Sequence, residues 1–132
     1  MATTTATLTL TSDINTDALA LTTTHSLNKA GTTIGLEQTT GLAKKIYATA
    51  QSNATLVSAG DYADNTASRI YIKNTGSSST DYFTLEIGSS NIVLGRLYGQ
   101  DFTWIPYEGE QDIDISSTGT NMELEFMVIN EG

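Results

Sequence analysis

Hydrophobic and polar residues alternate with a period of two through most of the second half of the chain. At residues 69–73, two isoleucines point to one side while Arg69, Tyr71 and Lys73 point to the other. This alternation is typical of a β-strand with one buried face. The same alternation predicts five further strands, which lie at residues 82–87, 92–94, 102–106, 112–115 and 122–129.

Segments rich in asparagine, glycine and serine separate these strands, as at residues 74–79 and 116–121. Such residues tolerate the backbone angles of turns or hydrogen-bond to their own backbone. Short strands joined by regular turns predict an all-β fold, which we expect to be a single antiparallel β-sandwich or a jelly-roll-like barrel. Pro106 cannot donate to a sheet ladder, so we expect it at a strand end or at a sheet edge.

The first half of the chain is rich in threonine, alanine, glycine and leucine, and its pattern is weaker. Residues 7–11 and 19–23 alternate as strands would, and the branched threonine side chain packs well on a pleated sheet. Residues 42–50 fit a helix as well as a strand, and we favour a strand because the neighbouring segments are β. We predict a threonine-rich N-terminal arm or first strands at residues 1–25 and a β-sandwich domain at residues 26–132.

The last predicted strand becomes apolar on both faces after Glu125, where phenylalanine, methionine, valine and isoleucine follow at residues 126–129. A strand that is apolar on both faces is covered on both. It lies either at the centre of a sandwich or against a neighbouring subunit, and the second explanation predicts a homo-oligomer.

The composition excludes several classes of function. The chain has 132 residues, enough to bury a core without disulfides or metals, and it has no cysteine for disulfides, thiolate zinc sites or thiol nucleophiles. Its formal net charge of −9 argues against nucleic-acid binding, which relies on lysine and arginine. No basic leader precedes an apolar core, and no apolar run approaches the ~20 residues of a membrane span, so we expect no membrane partner.

The one histidine, His25, lies next to Ser26, a pair that suggests nucleophilic catalysis. Neighbouring residues of a strand point to opposite faces, however, and a catalytic triad depends on spatial roles rather than adjacency. We therefore interpret His25 as a surface or interface residue and expect no enzyme activity, no catalytic residue and no cofactor.

Acidic residues recur two positions apart, which places them on one face of a strand. They lack the spacing of a calcium loop and have no histidine, arginine or lysine converging on them, so they favour a solvated acidic surface and predict no metal site. The pairs are Glu108 and Glu110, Asp112 and Asp114, and Glu123 and Glu125. If a divalent ion binds, the first four of these are where we expect it.

Aromatic residues and one arginine cluster between Gly95 and Tyr107. Tyrosine, tryptophan and arginine are enriched at the energetic centres of interfaces. The pattern leaves Phe102 and Trp104 equally compatible with the core and with the surface, and it favours exposure of Tyr98 and Tyr107. Six residues are our candidates for binding a protein partner: Arg96, Tyr98, Trp104, Tyr107, Met127 and Ile129.

Four segments carry a resemblance to a known group of proteins: residues 69–74 (Arg-Ile-Tyr-Ile-Lys-Asn), 95–97 (Gly-Arg-Leu), 104–107 (Trp-Ile-Pro-Tyr) and 125–131 (Glu-Phe-Met-Val-Ile-Asn-Glu). This half of the chain resembles small virion structural proteins of tailed phages, especially those of marine phages and cyanophages. Such proteins are often capsid decoration, or cement, proteins that are β-folded, frequently trimeric, and non-enzymatic.

The resemblance implies a virion protein on the capsid surface that binds the major capsid protein and stabilises the shell as a homo-oligomer, with a trimer favoured. The threonine-rich segment would then be an arm along the capsid. Two alternatives stay open. One is a structural protein of the phage neck, tail or fibre. The other is a carbohydrate-binding β-sandwich that stacks Trp104, Tyr107 and Tyr98 on sugar rings.

Overall fold

The computed structural model describes residues 3–14, 16–29, 32 and 35–131. Strands dominate this part of the chain, with one 3₁₀ turn at Ala59–Asp61. The strands are β1 (Thr5–Ser12), β2 (Leu19–Ser26), β3 (Gln38–Thr39), β4 (Ala43–Tyr47), β5 (Ala54–Val57), β6 (Ser68–Asn74), β7 (Tyr82–Ile87), β8 (Ile92–Tyr98), β9 (Phe102–Tyr107), β10 (Ile113–Ser117) and β11 (Met122–Asn130). The all-β prediction is confirmed. No helix in the described residues is long and apolar enough to cross a membrane.

The strands form three antiparallel sheets. β1 and β2 pair only with each other, as a two-stranded hairpin. A four-stranded sheet has the order β5-β10-β7-β8, and a five-stranded sheet has the order β3-β11-β6-β9, with β4 pairing farther along the same edge of β11. The two larger sheets are open and pack against each other, so of the two predicted architectures the chain adopts the sandwich.

The core lies between the two larger sheets and follows the alternation of the sequence. In β6, Ile70 and Ile72 are fully buried, whereas Tyr71 between them is only half-buried. Tyr47 of the five-stranded sheet and Phe83 of the four-stranded sheet meet edge to face, with their ring centroids 5.9 Å apart. Because the alternating apolar residues of both sheets point inward, one continuous core holds the sandwich together.

β11 is central in the five-stranded sheet, which explains why it is apolar on both faces. Val128 points into the main core, while Ile129 on the opposite face joins a second cluster with Leu27 and Leu36. The chain's own segment therefore covers this end of the strand. Residues 42–50, which left helix and strand open, contain strand β4, and Pro106 lies in the edge strand β9, as expected.

Candidate interaction site

The β1–β2 hairpin has two faces of different chemistry. In an antiparallel pair, residues opposite each other share a face. The register places Leu10 opposite Leu21, Leu8 opposite Thr23, and Ser12 opposite Leu19. All four leucines therefore lie on one side, which we call the leucine face (Leu8, Leu10, Leu19 and Leu21), and their exposed fractions are 44–51%.

The other side of the hairpin carries almost only threonine, and we call it the threonine face (Thr5, Thr7, Thr9, Thr11, Thr22 and Thr24). Thr7 and Thr24 lie opposite each other and share a hydrogen bond of 2.9 Å between their hydroxyl groups. Neither strand contains a lysine, arginine, aspartate or glutamate, and the acids of this segment, Asp13 and Asp17, lie in the connecting loop. The two strands thus present an uncharged surface on a chain whose formal net charge is −9.

The base of the hairpin is tied to the sandwich. The amide of Leu27 donates to the carbonyl oxygen of Thr4 at 2.8 Å, and the Thr4 hydroxyl donates to the carbonyl oxygen of Leu36 at 2.9 Å. Ala6, at the base of the hairpin and on its leucine side, packs on the second cluster, as Met127 also does. The leucine face is therefore continuous with an apolar cluster on the outer side of the five-stranded sheet.

A second exposed surface is the outer face of the five-stranded sheet. The register aligns Met127, Tyr71 and Trp104 in one row across three strands. Phe102 lies two residues from Trp104 on the same face. Phe102 is 62% exposed and Trp104 is 37% exposed. We name this surface the aromatic face (Tyr71, Phe102, Trp104 and Met127).

Charged residues border the aromatic face. The Tyr71 hydroxyl donates to the Glu125 carboxylate at 3.1 Å, and burial together with this hydrogen bond and charge raises the pKa of Tyr71. The Lys44 ammonium donates to the Glu123 carboxylate at 3.2 Å. The Thr75 hydroxyl and Lys44 together hold the pKa of Glu123 below its usual range. This surface combines flat apolar rings with hydrogen-bonding groups.

The six candidate partner-binding residues do not lie on one surface. Trp104 and Met127 belong to the aromatic face, and Ile129 shares its side of the sheet but is only 6% exposed under Leu27 and Leu36. Arg96 and Tyr98 lie on the outer face of the four-stranded sheet. There both contact Tyr82: the Arg96 guanidinium is 4.5 Å from its ring centroid, and the Tyr98 centroid is 5.0 Å away.

The expectation that Tyr107 is exposed is wrong. The β9 register points Tyr107 into the sandwich, where it is only 6% exposed and its hydroxyl donates to the carbonyl oxygen of Gln111 at 2.9 Å. Burial, followed by the charges of Asp112 and other nearby groups, raises its pKa to about 12. Trp104 and Phe102, which the sequence left open, both point outward.

His25 is exposed, and Ser26 points to the opposite face of β2, because His25 lies opposite Ala6 and Ser26 opposite Thr5. The acidic residues between positions 108 and 114 do not gather into a metal-binding cluster either. Among the residues that the structure describes, no group of three histidines and acids is arranged to hold a metal ion.

One acidic pair escaped the sequence analysis because it joins distant strands. Asp114 of β10 lies directly opposite Glu86 of β7, and both side chains are buried on the outer face of the four-stranded sheet. Glu86 accepts one hydrogen bond, from the Ser116 hydroxyl at 3.1 Å. One oxygen of each carboxylate is buried without a hydrogen-bond partner.

No protein-family model, no curated protein and no solved structure matches the chain. The fold and its surfaces define the class instead. The chain is an all-β sandwich that carries an uncharged amphipathic hairpin and exposes aromatic side chains on the outer faces of its sheets.

Proposed function

We propose that the chain is a non-enzymatic capsid decoration protein of a tailed phage, which binds the major capsid protein and stabilises the shell as a homo-oligomer. The observation that carries the proposal is the β1–β2 hairpin, whose strands pair with no strand of the sandwich. The identity of the partner comes from the resemblance of the C-terminal half to small virion proteins.

The hairpin supports attachment to a large partner because it is poorly stabilised by its own chain. An isolated two-stranded hairpin is marginally stable in water, so it becomes ordered when another protein surface covers it. Every residue of β2 is exposed in the single chain. A hairpin of this kind is suited to lie along a protein surface and to become ordered there.

The sandwich supports a role as a repeated clamp. Its aromatic face offers a second contact, and a shell presents the same partner surface many times. Contacts that are weak individually become strong when one oligomer makes several of them at once. This arrangement stabilises a shell without requiring a tight single site.

Quantitative mass spectrometry of purified particles tests the location. A decoration protein is expected at a ratio of order one to the major capsid protein, because it occupies shell-wide sites. A ratio of a few per hundred would overturn decoration and favour the neck, tail or fibre. Absence from particles would overturn a virion role altogether.

Truncation tests the role of the hairpin. A variant without residues 1–25 is expected to bind empty shells more weakly than the full chain while its sandwich stays folded. The circular dichroism of the strands and the fluorescence of Trp104 report the folding of the sandwich independently of binding. A folded truncated protein that binds shells with unchanged affinity would contradict the proposal that the hairpin is the attachment arm.

A carbohydrate-binding module is the second candidate, and the aromatic face is the observation that favours it. Tyr71, Trp104 and Phe102 share one outward face with hydrogen-bonding groups beside them, and rings of this kind stack on sugars. The trio suggested by the sequence cannot form such a platform, since Tyr107 is buried and Tyr98 lies on the other sheet. A glycan titration followed by calorimetry decides this candidate, because a Trp104→Ala variant, which removes the one tryptophan of the chain, must lose any binding that uses the face.

A further inference from the structure

We propose that the leucine face docks on the leucine face of a second copy, so that two hairpins stack face to face. This inference rests on the homo-oligomer of the proposed function and names the surface through which copies meet. Its test uses the purified chain alone, so its failure and a failure to bind shells are separate results.

The leucine face gathers four leucines that the chain itself does not cover. Beyond Ala6, which packs on the sandwich, the four leucines remain 44–51% exposed. An exposed apolar patch of this kind is often a contact site.

The pattern of the leucine face is complementary to itself. Leu10 and Leu21 form its central row, Leu8 lies one row nearer the base, and Leu19 lies one row nearer the tip. A rotation of 180° in the plane of the hairpin exchanges the two strands and maps Leu8 onto Leu19. The small residues Thr23 and Ser12 occupy the two remaining corners.

This pattern decides what two stacked copies bring together. When the second hairpin is turned over and laid on the first, Leu8 and Leu19 of one copy each fall over a corner that a small residue, Ser12 or Thr23, occupies in the other. Large side chains therefore face small ones, which is how packed layers interdigitate. The central leucines meet in the middle of the interface.

The distribution of charge also favours a contact between two hairpins. Each copy carries a formal net charge of −9, whereas the two strands of the hairpin carry no acidic or basic residue apart from His25. Charged residues are unfavourable at the buried centre of an interface, and like charges brought close together repel. The uncharged hairpin is thus a place where two acidic chains can meet at low electrostatic cost.

The loop acids also select the direction of stacking. Asp13 and Asp17 lie in the loop that connects the two strands. If both hairpins pointed the same way, four carboxylates and two acidic sandwiches would crowd together. In the antiparallel stack, the tip of one hairpin lies near the base of the other, and Leu10 of one copy lies over Leu10 of its partner.

The contact area predicts the strength of the association. Four half-exposed leucines supply a few hundred Å² per copy, less than the ~800 Å² per partner of a standard stable interface. We therefore expect a reversible association that depends on concentration, which further contacts on a shell would reinforce.

Sedimentation of the purified full chain over a concentration series tests the proposal. The wild-type protein is expected to shift from monomer to a larger species as its concentration rises. Leu10→Lys is expected to keep it monomeric, since it places two ammonium groups face to face. Thr9→Lys is the matched control, because it adds the same charge to the neighbouring position on the threonine face and should leave the association unchanged.

Cross-linking tests which face of the hairpin meets the second copy, and the chain contains no cysteine that would give background cross-links. A short bis-maleimide is expected to join two copies of Leu10→Cys in high yield and two copies of Thr9→Cys in low yield. Circular dichroism of each variant checks that the strands are retained. A wild-type chain that stays monomeric up to millimolar concentration, or equal cross-linking at both positions, would overturn the proposal.

Discussion

The Asn74 side chain donates a buried hydrogen bond of 2.9 Å to the carbonyl oxygen of Leu97, and this bond joins the two sheets of the sandwich. Asn74 ends β6 in the five-stranded sheet, and Leu97 lies in β8 of the four-stranded sheet. The Asn74 carboxamide oxygen also accepts from the amide of Gly76 at 2.9 Å. One asparagine therefore holds a strand end, a turn and the opposite sheet together.

Replacing Asn74 by alanine is expected to lower the free energy of unfolding by about 1–3 kcal/mol, because the carbonyl of Leu97 loses this buried partner. Urea denaturation followed by Trp104 fluorescence measures the change. Asn28→Ala is the control, since Asn28 is exposed and the same truncation there should cost little. Equal stabilities of the two variants would show that the inter-sheet bond contributes nothing.

Tyr47 and Tyr107 form a natural comparison, because both are buried but only one hydroxyl has a partner. The Tyr107 hydroxyl donates to Gln111, whereas the Tyr47 hydroxyl has no hydrogen-bond partner. Tyr107→Phe is expected to lose about 1 kcal/mol of unfolding free energy, while Tyr47→Phe should be neutral or gain up to about 1 kcal/mol. Thermal and urea unfolding at neutral pH measure the change in stability of each variant. A larger loss in Tyr47→Phe than in Tyr107→Phe would contradict the assigned hydrogen bonds.

The same two residues predict alkaline destabilisation. Burial raises the pKa of Tyr47 and of Tyr107 from the ordinary value near 10 to about 12. Between these values the unfolded chain releases protons that the folded chain keeps, so the free energy of unfolding falls as pH rises from 10 to 12 and does not respond to these groups below pH 9. Urea midpoints measured at several pH values between 8 and 12 test the predicted fall in stability. The fall should be shallower when both tyrosines are replaced by phenylalanine, and an unchanged slope would exclude them as its cause.

The sequence located the strands β6 and β9, but it identified the inward face only where one face alone is apolar. In β6 the alternation marks Ile70 and Ile72 unambiguously, and both are fully buried. In β9 either set of alternate residues could face the core, and pairing settles the choice, because Ile105 lies opposite the buried Ile70. That register turns Trp104 outward and Tyr107 inward, which no local pattern could decide.

The candidate surfaces were predicted in part. Alternation placed strands at residues 7–11 and 19–23, but the leucine face exists only because pairing in register puts the leucines of both strands on one side. The aromatic face likewise requires β6, β9 and β11 to be neighbours. Contacts between residues distant along the chain determine these surfaces, and a single sequence carries little information about them.

Glu86 and Asp114 provide a further prediction, because like charges directly opposite each other on adjacent strands destabilise a sheet. Each has one carboxylate oxygen that is buried without a hydrogen-bond partner. Asp114→Asn removes one of the two charges at nearly constant shape, and we expect it to raise the free energy of unfolding by about 1 kcal/mol at neutral pH.

Urea denaturation of Asp114→Asn at two salt concentrations measures this effect and identifies its origin. If the gain comes from relieved repulsion, it should persist at high salt, because buried charges are screened less than exposed ones. Glu110→Gln is the matched control, since Glu110 is exposed and its replacement removes the same charge from solvent. A loss of stability in Asp114→Asn beyond that of the control would mean that the two carboxylates support the sheet rather than strain it.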